Sequence, residues 1–372
     1  MRRWQRVAAG VVTGVPGGVL AGWAAVRWSG FEPGWPWVPV VAFTPYAGGA
    51  AVVLLLAAGL LRLRAPAALA LVAVVGLGAA VLPRALPDGD AGGARVLALS
   101  TGHPRDAGGA GAGALSTGHP RDAGGAGAGA PSTGHPRDAG GAGLRVLSAN
   151  LLVGSADPAA LVALVDRLRP DVLALQELTP AAQEGLERAG LSRALPYVVA
   201  RPGPGADGSA LYARHRLTPA AGPPPSTFEQ VAGVLELPGG TRVEVVSVHP
   251  CAVHVSETRP CWRQELEALP RADGTLRVLA GDFNATLDHL PLRRLLASGY
   301  RDAADAAGRG LTPTWPARGW HGLPGVAIDH VLVPERVSVR GYGVQAPVGS
   351  DHRPVLAELA LPASWPAEAD GS

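Results

Sequence analysis

Three long apolar stretches without a charged residue lie within the first 84 residues, at 7–26, 33–61 and 65–83. About 20 apolar residues are enough for a helix to cross a bilayer. A core helix of a soluble protein would show a polar stripe, which these stretches lack. We therefore predict three transmembrane helices, at about 7–26, 36–61 and 65–83. A signal peptide is the alternative for the first stretch only.

The basic residues that flank these stretches predict their orientation. Those before the first stretch and between the second and third are Arg2, Arg3, Arg6, Arg62 and Arg64. Between the first and second stretches, Arg27 is offset by Glu32. Because positively charged loops stay in the cytoplasm, we predict a multi-pass plasma-membrane anchor over residues 1–84. Its N terminus is cytoplasmic, and everything after residue 84 is extracytoplasmic.

A tandem repeat rich in Gly and Ala follows the anchor. Residues 99–114 recur unchanged at 115–130, and most of them recur again at 131–143. The unit has one leucine and no apolar periodicity, so we predict a flexible linker over residues 85–143. A metal-binding array is the alternative, although ordering flexible ligands carries a large entropic cost. Its ligands would be His103, His119, His135, Asp106, Asp122 and Asp138.

From residue 144 to 361, short apolar runs typical of strands alternate with capped amphipathic helices, and residues 362–372 form a predicted disordered tail. The pattern predicts an α/β (α+β) domain of packed sheets with outer helices. Polar residues fall at the ends of the apolar runs, where one such residue is most simply a turn. Six polar run ends together predict one edge of the sheets facing a common cleft, because burying unpaired polar groups is costly.

Charge and composition exclude some classes of function. Every basic residue is an arginine, which excludes lysine Schiff-base chemistry and a Walker-A phosphate loop. Within residues 144–361, arginines and acidic residues nearly balance. The domain therefore lacks the excess positive charge of a strong general nucleic-acid binder.

Six motifs, in this order, resemble those of the endonuclease/exonuclease/phosphatase family, which has the DNase I-like fold. They are LSAN, LALQEL, VVSVHP, LAGDFNAT, AIDHVLV and GSDHRPV. The resemblance covers about residues 144–361 and implies a four-layered sandwich of two mixed β-sheets flanked by helices. It also implies hydrolysis of phosphate esters with a divalent metal, Mg²⁺ or Mn²⁺. One departure is Leu152, which stands where some relatives carry an acid, so a second metal position lacks that ligand here.

Carboxylate and amide oxygens suit Mg²⁺, which takes few protein ligands and keeps several waters. On the motif positions, Glu177 is the predicted first metal ligand, and Asn150 beside it is also predicted as a metal ligand. Asp351 is predicted as a further or water-mediated ligand.

The remaining motif residues are predicted to do the chemistry. Asp329 orients His352, which contacts the phosphate or acts as acid or base. Asp282 aligns or deprotonates the attacking water, and Asn284 donates to the phosphate. His249 is a second phosphate contact or a general acid.

The only two cysteines, Cys251 and Cys261, follow His249 closely and lie in the predicted extracytoplasmic part. Exported thiols are usually oxidised, so we predict that they pair. A cysteine nucleophile at Cys251, with His249 and His254 nearby, is the less favoured alternative.

The sequence thus predicts a membrane-anchored, metal-dependent phosphoesterase that acts outside the cytoplasm. Its partners are the lipid bilayer and a phosphate ester: a lipid head group, nucleic acid or small phosphodiester. No obligate protein partner is evident from the sequence. The alternative is a membrane-tethered binding module that kept the fold and lost catalysis.

Overall fold

The computed structural model describes residues 3–88, 95–96, 142–224, 226–253, 255–317, 324–363 and 365. An N-terminal helical unit, residues 3–85, precedes a sandwich domain, residues 142–363. The tandem repeat at residues 99–141, with its His and Asp residues, His254, and residues 366–372 of the predicted tail lie outside the described residues.

The helical unit consists of α1 (Arg3–Ser29), α2 (Trp37–Val41), α3 (Thr44–Leu60), α4 (Arg64–Val81) and a 3₁₀ turn (Leu82–Ala85). Among the described residues, two helices are long and apolar enough to cross a membrane, Trp4–Ser29 and Arg64–Ala85. The prediction of one continuous helix over 36–61 is wrong, because α2 and α3 are separate. Pro45, in the first turn of α3, cannot donate a backbone hydrogen bond to the preceding turn, so it favours a new helix start.

Small residues let α4 pack closely against α1 and α3. Ala24, Ala47 and Leu77 are buried together where the helices meet. A Cβ added to Gly76 would lie 2.8 Å from the Cβ of Ala24, so that contact requires glycine. Large apolar side chains such as Val12 face outward instead. An apolar outer surface with small residues at the contacts is typical of helices that pack within a bilayer.

The sandwich domain contains two mixed β-sheets. In the first, the strand order is β1-β12-β13-β2-β3-β5-β4, with β2 and β3 parallel. In the second, the order is β10-β11-β9-β8-β7-β6, with β8 and β9 parallel. The strands are β1 (Arg95–Val96), β2 (Gly143–Asn150), β3 (Val172–Gln176), β4 (Tyr197–Arg201), β5 (Ser209–Ala213), β6 (Leu217–Ala220), β7 (Ala232–Glu236), β8 (Arg242–Val248), β9 (Arg277–Asp282), β10 (Tyr300–Asp302), β11 (Asp329–Pro334), β12 (Ser338–Val344) and β13 (Val355–Ala360).

Helices cover the outer faces of both sheets. They are α5 (Pro158–Leu168), α6 (Pro180–Ala189), α7 (Leu191–Ala194), α8 (Arg259–Ala268) and α9 (Leu290–Leu296). The short α10 (Ala303–Ala306) instead packs its alanines into the core between the sheets. One core lies between the sheets, a second lies under α5 and α6, and a third lies under α8 and α9. Two mixed sheets flanked by helices are the architecture of the DNase I-like fold. Asp157 caps α5 and Gly190 ends α6 in a left-handed conformation, which are the roles typical of Asp and Gly at helix ends.

Part of the predicted linker packs on the sandwich domain. The Asp88 amide donates to the Ala306 carbonyl, and the Asp88 carboxylate pairs with Arg301 at 2.9 Å. β1 then adds a parallel strand beside β12 at the edge of the first sheet. Both ends of the segment that contains the repeat, β1 and β2, therefore belong to the same sheet. The helical unit contacts the domain directly as well as being joined to it through that segment.

Candidate active site

Polar side chains from six chain segments reach one edge of the sandwich. The parallel pairs β2/β3 and β8/β9 contribute their carboxyl ends. Strands β11 and β13 run antiparallel to β9 and β2 and so contribute their amino ends. The side chains placed in this way are Asn150, Glu177, His249, Asp282, Asp329, Asp351 and His352.

Asn150 joins the two sheets at this edge. Its Nδ2 donates to Glu177 Oε1 at 2.9 Å and to Asp282 Oδ2 at 3.1 Å. Its Oδ1 accepts from the Leu152 amide at 2.9 Å, and the Val153 amide donates to Glu177 Oε2 at 2.6 Å. The amide of Asn150 thus fixes both carboxylates, and the backbone after β2 holds Glu177 from the other side.

Four non-glycine residues at this edge adopt a left-handed backbone conformation. The φ angles are 58° at Glu177 and 48° at Asn284, and Leu152 and Val153 have similar values. Such conformations cost of order 1–3 kcal/mol each and cluster at functional sites, where the surrounding structure holds them. The left-handed turn at Leu152 and Val153 points the Val153 amide toward the Glu177 carboxylate, to which it donates.

His352 lies between two carboxylates. Its Nδ1 is 3.0 and 3.1 Å from the two Asp329 carboxylate oxygens, and its Nε2 is 3.6 Å from Asp282 Oδ2. Burial by itself lowers the pKa of His352, but Asp329 and Asp282 outweigh it and raise the pKa to about 10. The ring is therefore an imidazolium at neutral pH. Thr314 Oγ1 accepts from the Asp329 amide at 3.1 Å and helps to fix the start of β11.

Asp282 is buried at the centre of the cluster. Burial raises its pKa; the His352 cation opposes this rise, and the Asp329 charge adds to it. Its Oδ1 accepts from the Asn284 amide at 2.8 Å. A carboxylate with a raised pKa is a stronger base than an exposed one, so Asp282 is suited to accept a proton.

His249 differs from His352 in charge. Its Nε2 lies 3.8 Å from both Glu177 Oε1 and Asp282 Oδ2. Its ring stacks on Phe228 with the ring centroids 4.6 Å apart, and its amide donates to Gln230 Oε1. Burial, followed by the charge of His352, lowers the pKa of His249 to about 3. At neutral pH His249 is therefore a neutral ring suited to a hydrogen bond, whereas the cationic His352 can act as an acid.

Asn284 and Asp351 lie at the margin of the cluster. Asn284 Nδ2 donates to the Pro250 carbonyl at 3.1 Å, and the Asn284 carbonyl accepts from Trp262 Nε1. Asp351 Oδ2 accepts from Trp315 Nε1 at 2.9 Å. The structure therefore holds Asn284 beside the strand that ends at His249, and Asp351 beside Trp315.

The model of the Endonuclease/Exonuclease/phosphatase family matches residues 147–352. The chain belongs to this family. Membership indicates a phosphoesterase, and the matched range contains every residue of the cluster described above.

Three solved structures have a similar fold, and this chain matches most of the length of each. One is an endonuclease/exonuclease/phosphatase from Beutenbergia cavernae, with 18% identity, a TM-score of 0.48, and 59% of this chain and 72% of that one covered. Another is D. rerio TDP2 complexed with a single-strand DNA product. It has 17% identity and a TM-score of 0.46, and the match covers 58% of this chain and 98% of that one. The third is an endonuclease/exonuclease/phosphatase from Bacteroides vulgatus. It has 16% identity and a TM-score of 0.45, and the match covers 59% of this chain and 100% of that one. No curated protein sequence matches the chain.

The oxygens at Glu177 and Asp351 fit the divalent metal that this family uses. Asp351 Oδ1 is buried and accepts no hydrogen bond within the described part of the chain. A buried carboxylate oxygen without a partner is costly, and a hard cation or a water bound to it would satisfy the oxygen. The Glu177 side chain remains 14% exposed and is held in place by hydrogen bonds. Asn150 directs its Nδ2 toward the carboxylates, while its Oδ1 is occupied by the Leu152 amide.

Asp282, Asp329 and His352 form a second group whose ligand atoms lie within 4.8 Å of one another. We interpret this group as a proton-transfer site, because the ring is cationic and is already bound by Asp329 through Nδ1. A cation placed there would compete with the imidazolium for the same carboxylates.

Cys251 and Cys261 form a disulfide, with Cα atoms 5.9 Å apart. The bond joins the loop after His249 to the first turn of α8. It also excludes Cys251 as a nucleophile, because its sulfur is not a free thiol.

The sequence motifs omit several residues that build the site. Phe228 and Gln230 hold His249, Thr314 fixes Asp329, and Trp315 holds Asp351. Each lies outside the six motifs, and a single aromatic or amide residue in a loop carries no periodic signal. Another buried ionisable residue, Asp288, lies just beyond the LAGDFNAT motif and contacts the helical unit.

Proposed function

We propose that the protein is a membrane-anchored, metal-dependent phosphodiesterase whose sandwich domain acts outside the cytoplasm. The observation that carries the proposal is the connected cluster of Glu177, Asn150, Asp282 and the Asp329–His352 pair. Asp329 and Asp282 flank the His352 imidazolium, and Asn150 links the Asp282 carboxylate to that of Glu177. Such an arrangement is expensive to bury for structural reasons alone, and it suits phosphate-ester hydrolysis.

Glu177 and Asp351, with Asn150 holding Glu177, are the residues that would bind the metal. A bound Mg²⁺ or Mn²⁺ neutralises charge on the phosphate oxygens and lowers the pKa of a bound water.

The chain's own residues would act on the water and the phosphate. In the proposed reaction, water forms a bond to phosphorus as the bond from phosphorus to the leaving oxygen breaks. Asp282 accepts the proton of the attacking water. His352, oriented by Asp329, donates from Nε2 to a phosphate oxygen and offsets the charge that develops in the transition state. The neutral His249 and the Asn284 amide supply further hydrogen bonds to the phosphate.

The direction of the helices supports an extracytoplasmic domain. The sandwich domain contacts Arg27 near the end of α1, Glu32 in the loop that follows α1, and Arg84 in the 3₁₀ turn after α4. The turn with Arg62 and Arg64 lies at the opposite ends of α3 and α4. If that turn stays in the cytoplasm, the domain is outside. At 17 residues, α3 is at the short limit of a spanning helix, about 17–25 residues, and we propose it as the third span.

The proposed substrates are phosphodiesters available at the outer face of the membrane: lipid head groups, nucleic acid or small diesters. The TDP2 structure with a single-strand DNA product makes DNA one arm of the test. Retention of every proposed catalytic residue argues against the alternative of an inactive binding module.

The test uses the full chain in lipid nanodiscs. Turnover of bis-p-nitrophenyl phosphate is measured with Mg²⁺ or Mn²⁺ and with EDTA, followed by a panel of DNA, RNA, sphingomyelin and inositol phosphates. We expect metal-dependent cleavage that EDTA abolishes. A folded protein that cleaves none of these substrates would favour the binding module.

A further inference from the structure

Asp288 lies at the junction between the helical unit and the sandwich domain, and its side chain is fully buried. Arg84, at the end of the last anchor helix, donates NH1 to Oδ2 at 2.8 Å and NH2 to Oδ1 at 2.7 Å. Arg27, near the end of α1, donates Nε to Oδ1 at 2.8 Å. One carboxylate of the domain is thus saturated by two arginines from two separate helices of the anchor.

A second contact lies beside this ion pair. The Nδ1 of His289 accepts from the Thr286 amide at 2.8 Å, so the ring is neutral and carries its proton on Nε2. That Nε2 donates to the Val38 carbonyl in α2 at 2.9 Å. Arg293 NH1 also donates to the Arg27 carbonyl at 2.7 Å. We call Arg27, Arg84, Asp288 and His289 the joint.

The joint is continuous with the proposed catalytic residues through residues 283–289, which connect β9 to α9. The Phe283 amide donates to the Ile328 carbonyl, and the Asn284 amide donates to Asp282 Oδ1. The Ala285 carbonyl accepts from His330 Nε2 at 2.8 Å. The rest of the loop is buried and bonded internally through Thr286 or to the helical unit. A displacement of Asp288 should therefore also displace Asn284, because the residues between them are buried and hydrogen-bonded.

Burying three charged side chains at a contact is costly, and a contact that only attached the domain to the helices would not require them. Bidentate pairing of Arg84 with a carboxylate fixes direction as well as distance. We propose that Asp288 is a positioning residue. By binding Arg27 and Arg84, it fixes the loop of residues 283–289 to the N-terminal helices. The helices thereby order the loop that follows Asp282 and carries Asn284, and turnover depends on them.

The inference rests on the proposed function for its kinetic test, and hydrogen exchange tests it independently. The full chain in nanodiscs is compared with Arg84→Gln, which changes a residue of the anchor only, and with Asp288→Asn. The matched control is Asp88→Asn, which also removes an ion pair between the region after the anchor and the domain, with Arg301. Within the described part of the chain, Asp88 makes no hydrogen bond to residues 283–289.

With bis-p-nitrophenyl phosphate, we expect kcat to fall roughly tenfold or more in Arg84→Gln and Asp288→Asn, because small misplacements of reacting groups have large kinetic effects. KM should change less than kcat, since the changed residues do not contact substrate and Asn284 is one of several proposed phosphate contacts. Asp88→Asn should keep wild-type kcat. Amide exchange of residues 283–289 should be faster in Arg84→Gln than in Asp88→Asn.

Unchanged kcat in a folded Arg84→Gln protein, with exchange at 283–289 equal to that of the control, would overturn the inference while leaving the proposed function intact. If Asp288→Asn does not fold, Arg84→Gln decides the question alone. If the wild-type chain is inactive, the proposed function fails, and the exchange comparison still decides whether the anchor orders the loop.

Discussion

Asp282 and Asp288 lie in one short segment and are both buried, yet their pKa values shift in opposite directions. Burial raises the pKa of Asp282, and the single imidazolium nearby does not compensate. Burial acts in the same sense on Asp288, but Arg84 and Arg27 outweigh it and lower the pKa. The comparison shows that partners, rather than burial, separate a carboxylate suited to proton transfer from one suited to holding structure.

Removing the charge at Asp282 should have the largest effect. Asp282→Asn should reduce turnover by about 10²–10⁴-fold, the usual contribution of a general base. Because the raised pKa means that the folded state disfavours the ionised form, stability at pH 7 should be unchanged or higher. Steady-state kinetics and thermal melts of the same preparation measure both. Wild-type turnover would remove Asp282 from the mechanism.

The same substitution at Asp288 should do the opposite to stability. Asp288→Asn leaves two buried arginines without their carboxylate, and losing one partner of a buried ion pair costs about 3–5 kcal/mol. Denaturant unfolding of the full chain in nanodiscs, followed by tryptophan fluorescence, measures the loss. A loss no larger than that of Asp282→Asn would mean that the joint contributes little.

The joint should also weaken in acid. Burial lowers the pKa of His289 to about 4. Below about pH 6.5, the unfolded chain binds a proton that the folded chain excludes until about pH 4, so stability falls over that range by about 3 kcal/mol. His289→Gln keeps a donor for Val38 and removes the titration. The wild-type protein should therefore lose more stability than this variant between pH 7 and pH 4, and parallel pH profiles would refute the assignment.

The disulfide on the His249 side should have a smaller effect. Replacing Cys251 and Cys261 together with serine should cost about 2.5–3 kcal/mol, the loop-closure entropy expected for a short loop. Turnover should change little, because the bond ties the loop after His249 to α8 and does not contact Glu177 or Asp282. Denaturant unfolding with and without reductant measures the cost. A change in turnover comparable with that of Asp282→Asn would mean that the bond holds catalytic residues directly.

Local chemistry made much of the domain predictable. Asp157 and Gly190 mark helix ends because capping depends on a few adjacent residues. The polar residues at strand ends share one edge because strand direction places them there. The distribution of Asn150, Glu177 and His352 along the chain therefore already predicted a cleft, although it did not reveal which side chains share protons.

Other features depend on contacts between segments distant in sequence. Asp288 follows a recognisable motif, but its partners are hundreds of residues earlier, and nothing local distinguishes it from a surface aspartate. The two-residue strand β1 forms only because β12 offers a free sheet edge. The break between α2 and α3 was visible as Pro45, yet uninterrupted apolar composition favoured one long helix.

The most direct test of the proposed site is turnover by Glu177→Gln beside the wild-type full chain, both purified in the same nanodiscs with Mn²⁺. The substitution preserves size and removes the charge needed to bind the metal. We predict that hydrolysis of bis-p-nitrophenyl phosphate falls by about 10³-fold, a loss typical of removing a catalytic group, while the melting temperature stays close to that of the wild type. Turnover at the wild-type rate by a folded Glu177→Gln protein would contradict the account.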